Sequence, residues 1–96
     1  MIVFNWNSEK NEWLKKNRGI CFEDITYLVS EGNLLDIINN PSPNFSNQQI
    51  FVILFKDYIY LVPFVKNRSE YFLKTIIPSR KATKKYLGES TKWKTI

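Results

Sequence analysis

Apolar residues fall along this chain in blocks whose spacing changes from one block to the next. Ile2-Val3-Phe4-Asn5-Trp6 is apolar on both faces and predicts a short strand or extended segment on the core. Asn7 or Ser8 then offers an N-cap, and Glu9 and Glu12 stand where a helix dipole favours negative charge, so a helix is predicted to about Asn17. Within it Trp13 and Leu14 are expected to face the core and Lys10, Lys15 and Lys16 the water, with Gly19 as the stop. Cys21 to Val29 predicts a second helix, with Phe22, Ile25, Tyr27, Leu28 and Val29 on one broad face, Glu23 and Asp24 at its start, and Gly32 at its end.

Leu34 to Ile38 reads as a short strand, and Asn39 to Asn47, with Pro41 and Pro43, as a polar loop and the most flexible point of the chain. Three apolar runs follow, Ile50 to Phe55, Tyr58 to Val65 and Tyr71 to Ile77, with short polar breaks between them: an antiparallel meander. Pro63 predicts a bulge or an edge in the middle run. Pro78 ends the last strand and Ser79 caps a closing helix that runs to Leu87 and Gly88, after which the tail from Glu89 is expected to fray unless Trp93 pins it. Helices on one side of an antiparallel sheet make an α+β fold.

At 96 residues the chain is expected to form one domain, and any concave site in it should be shallow or completed by a partner. Hydrophobic residues at 44% and charged residues at 24% speak against disorder. Three Trp, five Tyr and seven Phe give the core large apolar pieces and, where exposed, stacking faces. One Cys and no His leave nothing for a disulfide or a structural metal, so no cofactor is expected. Cys21 reads as a small buried apolar group, since no His is present to activate it. No apolar run approaches the ~18 residues of a membrane span, and the expected location is the cytoplasm.

Net charge is +5, unevenly spread. Residues 1 to 62 carry five basic groups against seven acids, whereas residues 63 to 96 carry nine against two. Such asymmetry marks a polyanion-facing surface, or else a lysine-rich helix kept in solution.

Several words of the sequence resemble the BrnT toxins. They are Phe4-Asn5-Trp6-Asn7 with Glu9-Lys10-Asn11, then Leu14-Lys15-Lys16-Asn17-Arg18-Gly19-Ile20, Phe22-Glu23-Asp24, and Ile76-Ile77-Pro78-Ser79-Arg80-Lys81-Ala82-Thr83. The resemblance spans roughly residues 2 to 87. It implies a RelE-like fold, metal-independent cleavage of RNA in a type II toxin–antitoxin system, and tight binding to a ribbon-helix-helix antitoxin. Whether the ribosome takes part is left open. The chain departs from the family pattern at polar positions: the K-H-G word is Asn17-Arg18-Gly19, the Arg that commonly starts the final strand is matched by Thr75, the E-x-R region by Gln48-Gln49, and an acid of the last helix falls near Tyr86.

RNA cleavage without metal needs a base, an acid and cations around the phosphoryl oxygens, and without His that work falls to Arg, Lys, Tyr and Glu. Arg80, where strand meets helix, is the first choice for phosphate and matches the family's Arg. Arg68, in the turn between the last two strands, reaches the same face if the hairpin leans over the helix start. Glu70 is the candidate base, with Lys66 or Lys81 as alternatives. Tyr86 reads first as packing the last helix on the sheet, and second as a proton donor or stacking ring. Lys81, Lys84 and Lys85 supply non-specific phosphate contacts, and Arg18 either joins them or caps its helix. The rival reading is a diverged module that binds an antitoxin or RNA without cleavage, and the polar departures favour it.

Overall fold

In the computed structural model the backbone is described for residues 2–94 and the side chains for residues 2–88. The chain opens with strand β1 (Val3–Trp6), helices α1 (Ser8–Arg18) and α2 (Phe22–Ser30), and strand β2 (Leu34–Asn39). Strands β3 (Gln49–Phe55), β4 (Tyr58–Asn67), β5 (Glu70–Leu73) and β6 (Ile77–Pro78) follow, and helix α3 (Arg80–Lys94) closes the order. The six strands form one sheet, β1-β5-β4-β3-β2, with β6 on β4 below β5. The fold is α+β, and the sheet is mixed: β1 lies parallel to β5, while every other pair is antiparallel.

Local chemistry sets the helix ends. The Asn7 side chain accepts from the Lys10 amide, and Gly19 closes α1 at φ 67, which glycine adopts without a Cβ penalty. The Asp24 carboxylate accepts from the Cys21 amide at the start of α2. The Ser79 Oγ accepts from the Ala82 amide at 3.0 Å and caps α3. This helix runs through Gly88 to Lys94, beyond the expected stop, and the Trp93 side chain expected to pin the tail lies outside the described residues.

Cross-strand partners share a face of the sheet, so the pairing shows what each face carries. Phe51 stands opposite Val62, and Phe64 opposite Leu73; these residues, with Ile53, pack against Leu14, Phe22, Ile25 and Leu28 of α1 and α2. Phe51 and Phe64 stack with centroids 4.0 Å apart at the middle of this core. The alternate residues belong to the other face, where Val52 and Ile59 are also fully buried. There α3 crosses the strands and reaches Asp36, which is paired with Val52. Helices therefore cover both faces, not one as the sequence suggested. The meander runs have too few polar residues on either side to leave a face in water.

The third apolar run also differs from expectation. Leu73 pairs with Phe64 and Ile77 with Leu61, so Lys74, Thr75 and Ile76 stand opposite only Val62 and Pro63. One extra residue makes a bulge and splits the expected strand into β5 and β6. Pro63 is the cause: its carbonyl accepts from the Lys74 amide at 2.8 Å, so its missing N–H falls on the same side, where the ladder breaks. The bulge turns Ile76 into the core, where it is fully buried.

Two residues placed on core faces are exposed. Trp13 is 46% and Tyr27 63% exposed, because Asn11 and Leu14 in α1, and Phe22, Ile25 and Leu28 in α2, occupy the i, i+3 stripe that meets the sheet. The 40–48 loop folds back on itself: the Asn40 amide donates to the Gln48 carbonyl, the Ser42 amide to Asn40 Oδ1, and the Gln48 amide to Phe45 across a 3-10 turn at Pro43–Phe45.

Candidate functional site

Strand β4 separates two ends of the molecule. Its Tyr58 end meets the Lys56-Asp57 turn, β6 and the start of α3; its Asn67 end meets the Arg68-Ser69 turn and the beginning of β1. From Tyr60 to Asn67 the strand extends about 23 Å at roughly 3.3 Å per residue.

Arg68, Glu70 and Lys66 lie at the far end. Glu70 accepts from the Asn5 side chain at 3.1 Å, and the Lys66 ammonium sits 5.8 Å from the Tyr71 ring centroid. The hairpin does not lean over the helix start, so Arg68 and Arg80 do not share a site. The length of β4 keeps them apart, since β6 pairs at Tyr60 and Leu61 and β5 at Phe64 to Asn67. The 40–48 loop leads into Gln49, which pairs with Phe64, and so also lies away from the α3 start.

Arg80 and Lys81 open α3, and the hydrogen bond from the Ser79 amide to the Ile59 carbonyl anchors that start to β4. The Ile59 amide donates to Thr83 Oγ1 at 2.9 Å, so the first turn of the helix satisfies the strand where β6 stops. Arg18, the last residue of α1, donates to the carbonyl of Ile76, next to β6, and its guanidinium lies 5.1 Å from the Trp13 ring centroid. Two cations from opposite ends of the sequence thus flank the β6–α3 junction.

On α3, Ala82, Thr83, Tyr86 and Leu87 form the partly buried stripe, and Arg80, Lys81, Lys84 and Lys85 are exposed. The Tyr86 hydroxyl donates to the Asp36 carboxylate at 2.9 Å. Burial, and then that carboxylate, hold the phenol above its ordinary pKa, so Tyr86 keeps its proton and acts as a strut between α3 and β2. The packing reading of Tyr86 agrees with this geometry. Cys21 is 7% exposed, and burial pushes its thiol up, the wrong direction for a nucleophile.

Among the described residues the single ion pair is Lys15 with Glu12, on the outer face of α1. Among the described residues no carboxylate lies within ion-pair reach of Arg18, Lys56, Arg80, Lys81, Lys84 or Lys85. No group of Asp, Glu and Cys among the described residues comes together as a metal site, and no helix is long and apolar enough to cross a membrane.

Beside these cations stand three aromatic residues that the sequence reading counted only as strand apolar positions. Phe55 pairs with Tyr58, and Tyr60 pairs with Ile53 and Pro78, which puts all three rings on the α1/α2 face at the end of the sheet. Tyr60 meets Phe55 edge-to-face at 5.8 Å and Tyr58 at 5.9 Å. Neither tyrosine hydroxyl has a partner among the described residues. The signal was the alternation of Tyr58 and Tyr60 directly after a turn that contains Lys56.

The chain matches no protein-family model, no curated protein and no solved structure in comparisons with known proteins.

Proposed function

We propose that this protein is a ribonuclease toxin of a type II pair, RelE-like in arrangement and related to the BrnT toxins, acting at the end of the sheet where α3 begins. The observation that carries the reading is the pair of cations, Arg18 and Arg80, on either side of the β6–α3 junction, neither with an ion-pair partner among the described residues. Guanidinium forks suit phosphoryl oxygens, and their role is to hold the phosphate and stabilise its added charge while the adjacent 2′-hydroxyl attacks phosphorus. Lys81, Lys84 and Lys85 extend the positive surface along α3 for the flanking backbone. The edge strands β1 and β2 carry exposed Val3, Leu35 and Ile37, with exposed Ile2 just before β1, which supports a protein partner of the ribbon-helix-helix antitoxin kind.

A second reading, an RNA-binding module without cleavage, is favoured by the positions of two acid–base candidates. Glu70 lies at the far end of β4, and the Tyr86 proton is committed to Asp36. Induced expression of the chain alone, with growth and total RNA followed together, separates the two. Arrest with RNA loss, abolished by Arg80→Ala, supports the toxin; normal growth with intact RNA and soluble, folded protein supports the binding module.

A further inference from the structure

We infer that Tyr58 and Tyr60, backed by Phe55, form a stacking platform for unpaired bases, so that the ligand of this end of the molecule is single-stranded RNA, not duplex. The inference rests on the RNA-directed reading above and specifies its substrate class.

The rings are placed for it. Tyr60 is held by contact with the core and by the edge of Phe55, while Tyr58 stands beyond the core cluster, at the margin of the sheet. Both are half-buried, so each keeps part of its surface open. A phenol whose hydroxyl is satisfied by a neighbour is commonly a packing residue, as Tyr86 is here; neither Tyr58 nor Tyr60 has such a neighbour among the described residues. Every base offers a π-face, so aromatic platforms accept single strands with little regard to sequence, whereas a duplex keeps its bases stacked inside.

Charge favours the same ligand. Arg18 reaches the Ile76 carbonyl just before the β6 segment that pairs with Tyr60, Arg80 opens the helix just after it, and Lys56 lies 5.2 Å from the Phe55 ring centroid; none of the three has an ion-pair partner among the described residues. Cations around aromatic rings fit a strand whose bases and phosphates alternate.

The turn itself is strained. Lys56 and Asp57 take φ 51 and 60, a left-handed conformation at two consecutive residues that usually calls for Asn-Gly. This two-residue turn sets Phe55 and Tyr58 directly opposite each other.

The test uses the full chain and a 5′-labelled 2′-O-methyl oligouridylate, which 2′-hydroxyl attack cannot cleave, with a duplex of equal length beside it. Binding is read by fluorescence anisotropy over a range of salt. The single strand is expected to bind more tightly than the duplex. Tyr58→Leu and Tyr60→Leu should each weaken it about tenfold or more, the size of one lost base–aromatic stack, with an unchanged salt slope. Arg18→Ala and Arg80→Ala should instead lower the slope by about 0.7 each. Tyr27→Leu, on the exposed side of α2, is the control and should bind as the parent does. Tyr58 lies outside the core cluster, so its variant stays informative even if Tyr60→Leu fails to fold. Equal binding of duplex and single strand, unchanged affinity in Tyr58→Leu, or no binding of either RNA overturns the platform. Cleavage of ordinary RNA with unchanged binding in Tyr58→Leu would leave the nuclease standing and remove the platform. Tyrosine-dependent binding without cleavage would do the reverse.

Discussion

The Tyr86 hydroxyl donates to the Asp36 carboxylate at 2.9 Å, tying the third helix to an edge strand that lies fifty residues earlier in the chain. The bond spans the face that α3 covers and links its middle to a strand two places from its anchor on Ile59. Tyr86→Phe keeps the ring and removes the bond, and is expected to cost about 1 kcal/mol, since Asp36 is largely in water. The folded chain holds the phenol proton more firmly than the unfolded chain does. This contribution is therefore complete below pH 10.0 and is lost as the pH rises toward the higher folded value. Thermal unfolding between pH 7 and 11 checks both points: the loss of stability at alkaline pH should be shallower in Tyr86→Phe.

Asn11 is the one buried polar residue among those described, and it joins the first two helices. Its Oδ1 accepts from the Phe22 amide and its Nδ2 donates to Glu23 Oε1, each at 2.7 Å. Asn11→Leu leaves the Phe22 amide without a partner in an apolar setting and should cost about 1–3 kcal/mol in chemical denaturation.

The same contact gives an acid dependence of known sign. Donation from Asn11 holds the Glu23 carboxyl below its usual 4.5, so the unfolded chain takes up that proton first as the pH falls. The stabilisation is present above pH 4.5 and fades below it. In Asn11→Leu the fall in melting temperature between pH 5 and 3 should be less steep, and an unchanged slope would remove Glu23 from the account.

The strained Lys56-Asp57 turn offers a stabilising change. Asp57 has φ 60, a conformation that costs an L-residue roughly 1–2 kcal/mol and glycine little. Asp57→Gly is expected to raise stability by up to about 1 kcal/mol, because glycine also adds freedom to the unfolded chain. A lower melting temperature in this variant would mean that the aspartate side chain makes a stabilising contribution larger than the strain it carries.

The separation of Arg68 from Arg80 predicts how their losses combine. Sites more than about 7–10 Å apart act independently, so Arg68→Ala, a strand's length from the proposed site, should leave RNA affinity close to the parent's, and the Arg68→Ala/Arg80→Ala double variant should match Arg80→Ala alone. Arg18→Ala and Arg80→Ala, which flank one junction, should combine with less than the product of their factors. Kd values for the three single and two double variants at one salt concentration decide the matter.

How much of this was legible varies with the range of the interaction responsible. Asn7, Gly19 and Ser79 mark helix ends because a cap acts within three or four residues of itself, and each helix begins or ends where its cap stands. The meander strands emerge from runs of Val, Ile, Phe and Tyr for the same local reason. Even the bulge was visible as Pro63, since a residue without an N–H interrupts any ladder on that side.

The chain order therefore determined the elements, their caps and the concentration of positive charge in the last third. Tertiary structure decided the rest: α3 on the face opposite α1 and α2, Arg18 beside the β6–α3 junction, Arg68 a strand's length from Arg80, and Tyr86 on Asp36. These relations join residues many positions apart. They depend on strand register and on which face a helix finds to cover, and no short-range pattern of apolar and polar positions contains that information.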